Sequence, residues 1–357
     1  MNAPFRITAP TVRPADLADR QEFARLERFV MEHPAGTPFH RPTWLTAVAR
    51  GTGNHARALV EERGGEVIAY LPLLETHSPL FGRVLVSSGF GVEGGILATA
   101  DAGTLLIEAA EELALRRVCS TIELRGGVPP ADRHGWTVRH DTHCGFVAPL
   151  ASDDDAQLLA IPRKQRAEVR KGLGNELEVS VGAGPEDRAA HYAIYAESVR
   201  NLGTPVFPRS LFDAVLDAFA GDADILTVRH NGAAVASVLS LYHQGSVMPY
   251  WGGGTRDARR LRANDVMYYA LMLHARGRGC DRFDFGRSKA GSGAHDFKKN
   301  WGFEPQPLGY ASWTAPGCAA RDADPTSAKH AAQIALWRKL PLAISNRLGP
   351  LIARGLA

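Results

Sequence analysis

The chain has 357 residues, 45% of them hydrophobic and 22% charged, with a formal net charge of +3. At ~100–200 residues per domain this length points to two domains, and the apolar fraction excludes both wholesale disorder and collagen-like order. No apolar run approaches the ~18 residues needed to cross a bilayer. The N-terminal stretch to Asp19 contains Pro4, Pro10, Pro14 and Asp16, with no apolar block leading to a cleavage site, so no secretory signal is read there. Cys119, Cys144, Cys280 and Cys318 form no CxxC, which argues against a zinc site or disulfide framework and fits a reducing cytoplasm.

In chain order, residues 16–31 carry Leu17, Phe23, Leu26 and Val30 at helical spacing. Residues 56–74 are two apolar runs around Gly64 and Gly65, a hairpin signature. A strand at 83–89 and a glycine-bearing segment at 91–97 follow. Next comes a helix with Asp101 as its expected N-cap and Leu105, Leu106, Ala109, Ala110 and Leu113 on one face. A strand at 119–126 closes this half.

The acidic cluster at 152–160, with its good N-cap, marks a seam near residue 150. A basic segment follows at 161–179, in which Pro162 suits a helix start. Residues 186–220 hold two amphipathic stretches around Tyr192, Tyr195, Leu211, Phe212, Leu216 and Phe219. The strand at 225–230 meets Asn231-Gly232, the strongest short hairpin turn, and 233–243 returns. Then come a strand at 246–251, the glycines Gly252, Gly253 and Gly254, a helix over 264–277 starting at Asn264, and a strand at 281–287.

From Gly65 to Arg125 is 60 residues and from Gly232 to Arg287 is 55, with the same element order in each half. We read a duplicated unit. The expected class is α/β with mixed sheets: helices, hairpin, strand, glycine turn, helix and strand, an order similar to that of a GNAT N-acyltransferase domain written twice. The expected domains are 1–150 and 151–315, with a tail over 316–357.

Three segments could carry chemistry. In 161–179, five cations fall within nine residues. Arg163, Arg166, Arg170 and Lys171 lie close to one helical face, which suits phosphate; the alternative is a solvated helix surface. In 283–305, Asp284 alternates with Phe283 and Phe285 at a strand end. Arg287, Ser288, His295, Lys298 and Trp301 follow, and an acid and a lysine placed there could serve as amine base and oxyanion stabiliser. The alternative makes Asp284 a turn cap, Lys298 a solvated cation and Trp301 core. In 250–265, Tyr250 precedes the glycines, but these stand far from the expected helix cap and there is no Q/RxxGxG/A pyrophosphate loop. Arg256, Arg259 and Arg260 therefore read as a loose solvated loop. GxSxG, HExxH, GxxxxGK[ST] and GxGxxG after a strand are all missing, and His40, His243 and His274 stand alone.

IPRKQRAEVRKG (161–172), NLGTPVFPRSLF (201–212) and FDFGRSKAGSGAHDFKKNWGFEP (283–305) resemble the FemAB-like proteins associated with PEP-CTERM/exosortase systems. LPLLETHSPLFGRVLVSSGFGVEGGIL (71–97) is similar to the same group, so the resemblance covers nearly the whole chain. It implies two GNAT-like domains and acyl transfer to an amine, with aminoacyl-tRNA or acyl-CoA as co-substrate and no permanently bound cofactor. It also implies that Lys298, in DFKKNWG, lies at the reaction centre and that basic residues hold a diphosphate; the mechanism expected from the residues adds Asp284 as acceptor or relay of the amine proton. Substrate contacts are then expected from Arg163, Arg166, Arg170, Lys171, Tyr250, Arg287, Ser288 and Trp301. The long coiled-coil insertion of some Fem proteins is missing, which separates this chain from their way of binding tRNA. The expected partners are a phosphate-bearing envelope or polysaccharide precursor and tRNA, not DNA. An acyl-CoA-dependent acetyltransferase and a silent glycan-precursor scaffold are the alternatives.

Residues 325–357 contain five cations and no acid, which leaves the rest of the chain at −2. Within 328–357, Ile334, Trp337, Leu340, Ile344, Leu348, Leu351 and Ile352 recur at 3–4 residue steps, interrupted by Pro341 and Pro350. Such a segment either lies on anionic lipid or packs back on the protein. The expected location is cytoplasmic, with peripheral contact at the inner face of the cytoplasmic membrane through 325–357.

Overall fold

The computed structural model describes residues 9–79, 82–129, 132–319 and 331–356. Pro4 and the tail's Lys329 lie outside the described residues. The first elements are β1 (Thr11–Pro14), α1 (Arg20–Glu32), α2 (Pro42–Thr52), β2 (His55–Arg63), β3 (Glu66–Ser78), β4 (Gly82–Ser87) and β5 (Leu97–Ala98). Then come α3 (Thr104–Arg116), β6 (Thr121–Arg125), β7 (Trp136–Arg139), β8 (His143–Gly145) and β9 (Val147–Pro149). They are followed by α4 (Asp154–Ala160), α5 (Arg163–Leu173), β10 (Leu177–Gly182), α6 (Pro185–Leu202) and α7 (Arg209–Phe219). Next are β11 (Ala223–His230), β12 (Ala233–His243), β13 (Ser246–Gly254), α8 (Arg256–Leu261), α9 (Ala263–Gly277) and β14 (Arg282–Asp284). The chain ends in β15 (Ser288–Lys289), α10 (Gly293–Asn300), β16 (Gln306–Pro307), β17 (Tyr310–Thr314), α11 (Ala331–Lys339) and α12 (Leu342–Ala353).

The described residues form two compact units. One runs to His140 and resumes at Gly309; the other spans 141–308 and includes α11 and α12. Their sheets explain why linear cuts near 150 and 315 do not follow the chain. In the first unit the strand order is β1-β2-β3-β4-β6-β17-β7, with β5 against β3, so β17 returns from far along the sequence to pair with both β6 and β7. In the second unit the main sheet runs β10-β11-β12-β13-β14-β9, and β15-β8-β16 make a small second sheet.

The two units share a register as well as an element order. Gly64 and Gly65 have φ of 61° and 91°, and Asn231 and Gly232 have 50° and 77°, the left-handed pair that a tight hairpin needs. Counting from each hairpin glycine, β2–β3 pairs Arg57 with Leu73 and β11–β12 pairs Asp224 with Ser240 at identical offsets. Each hairpin is bulged at the same offset, at Ile68 and Val235. The bulge carbonyls are taken by equivalent donors, Thr99 N–H and Thr255 N–H, both at 2.9 Å. After the crossover helices, Cys119 N–H donates to Ala114 O and Cys280 N–H to Ala275 O. The closing strands then run parallel, β4 with β6 and β13 with β14.

Each unit has its own core. Leu71, Leu73, Leu85, Leu106, Ile122 and Trp136 fill the first; Val169, Leu226, Val238, Met267, Phe283 and Trp301 are among the residues of the second.

Local chemistry differs from the sequence reading at several places. The cap of α3 is Gly103, at φ 96°, rather than Asp101. Helix α9 starts at Ala263 after a left-handed Arg262 rather than at Asn264, and α8 forms where a loose loop over Arg256, Arg259 and Arg260 was expected. Gly252, Gly253 and Gly254 are strand residues paired with Val238, Ser237 and Ala236. A Cβ on Gly253 would lie 2.5 Å from the Ser198 side chain and one on Gly254 2.6 Å from Ala258, so these glycines serve close packing and no phosphate cradle.

Candidate functional site

The site grows out of the end of β14. Strand β13 pairs with β14 at only two positions, Ser246 with Arg282 and Val247 with Phe283, and then continues to Gly254 while β14 stops at Asp284. On its other side β14 is held by β9, with Asp284 opposite Val147. The adjacent strands therefore part after two pairs. Opposite the parting, β13 carries a bulge: Leu239 pairs with Trp251 and Ser240 with Pro249, leaving Tyr250 as the extra residue. A proline without an N–H suits that break in the ladder. Tyr250 is half-buried, its ring centroid 5.0 Å from that of Trp251.

Asp284 is half-buried, and its Oδ1 accepts Gly286 N–H at 2.7 Å across a turn in which Gly286 has φ 64°. Desolvation raises its carboxyl to about 6, against the opposing pull of the Gly286 N–H and the Lys298 charge. Lys298 projects from α10, whose N-cap Ser292 accepts from His295 N–H. Its side chain is buried at 9% exposure. Nζ donates to Gly286 O at 3.1 Å and Arg287 O at 2.8 Å, and lies 5.2 Å from the Phe146 ring centroid. Desolvation lowers the amine to about 8; Asp284 opposes this and Arg287 adds to it. An ammonium has three N–H donors, and two are spent on carbonyls. Among the described residues no acceptor is assigned to the third. The acid and the amine, placed within one strand-turn-helix segment, thus both titrate around neutral pH, a property of groups that move protons.

The other expected residues divide. Arg287 and Ser288 belong to this segment; Arg287 is half-buried, whereas Ser288 is buried in β15 opposite Cys144, and its Oγ has no hydrogen-bond partner among the described residues. Trp301 corrects the expectation of a substrate-facing ring. It is 3% exposed and packs edge-on against Tyr268 and Phe285, because the turn after α10 drives it into the core. Lys298, a solvated cation in the alternative, is buried, while its neighbour Lys299 is exposed.

Helix α5 exposes four of its five cations. Gln165, Val169 and Gly172 are its buried stripe, and Arg163, Lys164, Arg170 and Lys171 are exposed on other faces. Arg166 is half-buried and donates to Leu159 O. The helix is fixed to α9 by Gln165 Nε2 donating to Asp265 Oδ1 at 2.6 Å and by an Arg262–Glu168 ion pair at 2.6 Å. A Cβ on Gly302 would lie 3.1 Å from the Pro162 ring, so the start of α5 sits against the end of α10. The basic face begins beside the segment that carries Lys298.

Two features escaped the sequence reading. His274 does not stand alone: its Nε2 lies 2.9 Å from Asp224 Oδ2, and the same carboxylate accepts from Tyr242 Oη at 2.9 and 3.0 Å and from Arg278. His191 is buried, with Nδ1 3.0 Å from Ser237 Oγ, and desolvation lowers it to about 3, so it is a neutral core imidazole. Its neighbours Tyr195 and Phe212 join Trp251 in an aromatic cluster on the α6–α7 side of β13. Only the strand register brings either set together.

Residues 161–299 match the family model described as the acetyltransferase (GNAT) domain. This range contains the parting strands, Asp284 and Lys298, and the match supports an acyltransferase. No curated protein matches this sequence. Among solved structures, FemX superposes with a TM-score of 0.66 at 17% identity, covering 82% of this chain and 96% of that one. A tandem GNAT protein from the clavulanic acid biosynthesis pathway gives 0.58 at 15%, covering 87% and 100%. The C-terminal domain (DUF2156) of a protein designated a lysylphosphatidylglycerol synthetase, from Agrobacterium fabrum, gives 0.56 at 16%, covering 83% and 92%. The fold is that of tandem GNAT proteins. Among the described residues no helix is long and apolar enough to cross a membrane.

Proposed function

We propose that the chain is a Fem-like N-acyltransferase that moves an acyl or aminoacyl group from an activated donor to an amine, with its reaction centre where β13 and β14 part. One observation carries the reading: a buried lysine held on the Gly286 and Arg287 carbonyls, in the turn whose Gly286 N–H also binds Asp284, where desolvation lowers the amine and raises the acid.

The acceptor amine attacks the acyl carbonyl carbon. A C–N bond forms, the bond from the acyl carbon to the donor's oxygen or sulfur breaks, and the electron pair leaves with the donor. Asp284, basic enough at about 6, takes the proton that the amine must lose. The remaining N–H of Lys298 is directed at the oxygen that becomes anionic, a contact worth ~3–4 kcal/mol in comparable sites. Backbone carbonyls of Gly286 and Arg287 hold the ammonium before reaction, so little reorganisation is needed. The exposed cations Arg163, Lys164, Arg170 and Lys171 suit a phosphate-bearing substrate, whether a nucleotide-linked precursor or the backbone of an aminoacyl-tRNA. An acceptor among cell-envelope or exopolysaccharide precursors, in a PEP-CTERM/exosortase setting, is consistent with that face and with the sequence resemblance.

An acyl-CoA donor is the second reading, favoured by the acetyltransferase description of the matching family model. The use of Gly252, Gly253 and Gly254 for strand packing counts against a pyrophosphate cradle there. Single-turnover assays with purified protein, supplied separately with aminoacyl-tRNA and acyl-CoA and with amine acceptors of both precursor classes, decide between the donors. Transfer from neither donor to any amine removes the reading.

A further inference from the structure

The C-terminal helices pack on the second unit in an inverted manner. Arg338 Nη2 donates to Leu202 O at 3.1 Å, Arg200 donates to Arg338 O, and a Cβ on Gly203 would lie 2.4 Å from Ile334. Helix α12 turns its small residues inward: Ser345, Gly349 and Ala353, at steps of four, are buried, and Gly349 lies directly against Val206. Its large apolar residues point outward instead. Ile344 is 45% exposed, Leu348 42% and Leu351 58%. At 3.6 residues per turn these three fall within one narrow arc, and the exposed Arg347 and Arg354 lie together on its flank. Leu336 on α11 and Leu202 at the end of α6 are also exposed, at 66% and 64%.

A soluble surface helix ordinarily does the reverse, turning its large apolar side chains to the core. Packing by the small residues leaves the hydrophobic effect of three large aliphatics unused in the folded chain. Charge indicates what covers them. Residues 325–357 contain no Asp or Glu, so a symmetric contact between two copies through this face would set Arg347 and Arg354 against like charges with no acid in the segment to pair with them. An anionic lipid surface satisfies both features, since acyl chains take the leucine arc and headgroup phosphates take the arginines.

We infer that α12 is an interfacial anchor, laying Ile344, Leu348 and Leu351 into an anionic bilayer surface with Arg347 and Arg354 at headgroup level. The inference is independent of the acyltransferase reading. The geometry is one of lying in the interface, because a helix of 12 residues with a buried face on the protein cannot span.

The test is flotation of the purified full chain with phosphatidylcholine vesicles made with and without phosphatidylglycerol, at low and high salt. The wild type should float only with the anionic vesicles and lose most binding at high salt. Leu348→Glu with Leu351→Glu should reduce partitioning roughly a hundredfold. Arg347→Glu should weaken it about fivefold or more, the effect of one cation removed from headgroup level. Because these positions are exposed, circular dichroism and thermal melting should match the wild type. Equal partitioning to neutral and anionic vesicles, no partitioning at all, or an undiminished Leu348→Glu, Leu351→Glu variant overturns the inference. So does a concentration-dependent dimer that Leu348→Glu disperses while vesicles remain unbound.

Discussion

The first and second units place an acid at the same point of the same scaffold and treat it differently. Counting through the parallel closing pairs, Glu123 on β6 corresponds to Asp284 on β14. In the first unit the β4–β6 pairing extends to Val86 with Glu123, and Glu123 is 3.8 Å from Arg125. Arg125 is itself buried and donates to Gly91 O. The glycine-bearing loop after β4 is drawn tight there: a Cβ on Gly95 would lie 1.7 Å from Gly126 O. In the second unit β13 and β14 separate instead, and the buried Lys298 acts on Asp284 more strongly than the Arg282 guanidinium does. A duplicated register thus fixes where a site can stand, and what fills the end of the closing strand decides whether chemistry occurs there.

The largest effect that comparison predicts is on Lys298. Lys298→Met should lower single-turnover acyl transfer ~100-fold or more with substrate binding nearly intact, as loss of one oxyanion donor does elsewhere. Glu123→Gln, its counterpart experiment in the first unit, should leave turnover within about twofold. If both changes cost the same, the two units are not distinguished as argued. Asp284→Asn should lower turnover ~10–100-fold and abolish the acidic limb of the pH profile.

A smaller effect falls on stability. The folded-state value of Lys298, about 8, lies below the ordinary 10.5, so as pH falls through that window the unfolded chain binds the proton first. Wild type should lose about 2 kcal/mol relative to Lys298→Met between pH 10.5 and 8, read from denaturant melts at matched pH.

The second structural contrast lies at the opposite strand ends. Arg57, Glu75 and Arg117 in the first unit occupy the positions of Asp224, Tyr242 and Arg278 in the second. Glu75 is buried and accepts from Arg57 at 2.9 Å and from Arg117 at 3.0 and 3.1 Å. Burial opposes its ionisation, but the two guanidiniums hold it below the usual carboxylate range, so its contribution exists at neutral pH and is lost as pH falls through that lowered value. Glu75→Gln and Asp224→Asn should each cost about 2 kcal/mol, seen as a lower Tm, with turnover unchanged. The least effect is expected on the α5 face, where Arg170→Ser or Lys171→Ser should raise KM a few-fold and reduce its salt dependence.

Much of the scaffold is legible from local sequence because local physics makes it. Gly64-Gly65 and Asn231-Gly232 turn where left-handed backbone is needed, and the stripes of α3 and α7 follow the helical period. The rest depends on distant partners. Nothing near Tyr310 announces that β17 will insert between β6 and β7, and Gly252–254 read as a loop only until Ser198 and Ala258 are seen against them. Helix α8 forms in an arginine-rich segment because Ala258 and Leu261 are buried, a tertiary gain that composition does not reveal. At the site, Asp284 was legible from strand alternation and Lys298 from the resemblance of its segment. Its burial was not, since DFKKN looks solvated and only the turn back to Gly286 and Arg287 brings one lysine inside. Trp301 was misread for the same reason in reverse.

The pH dependence of single-turnover acyl transfer tests the central claim most directly. With Asp284 required as base and Lys298 as cation, the rate should rise through about 6, hold near neutrality and fall through about 8. A rate that stays flat across both values would contradict the account.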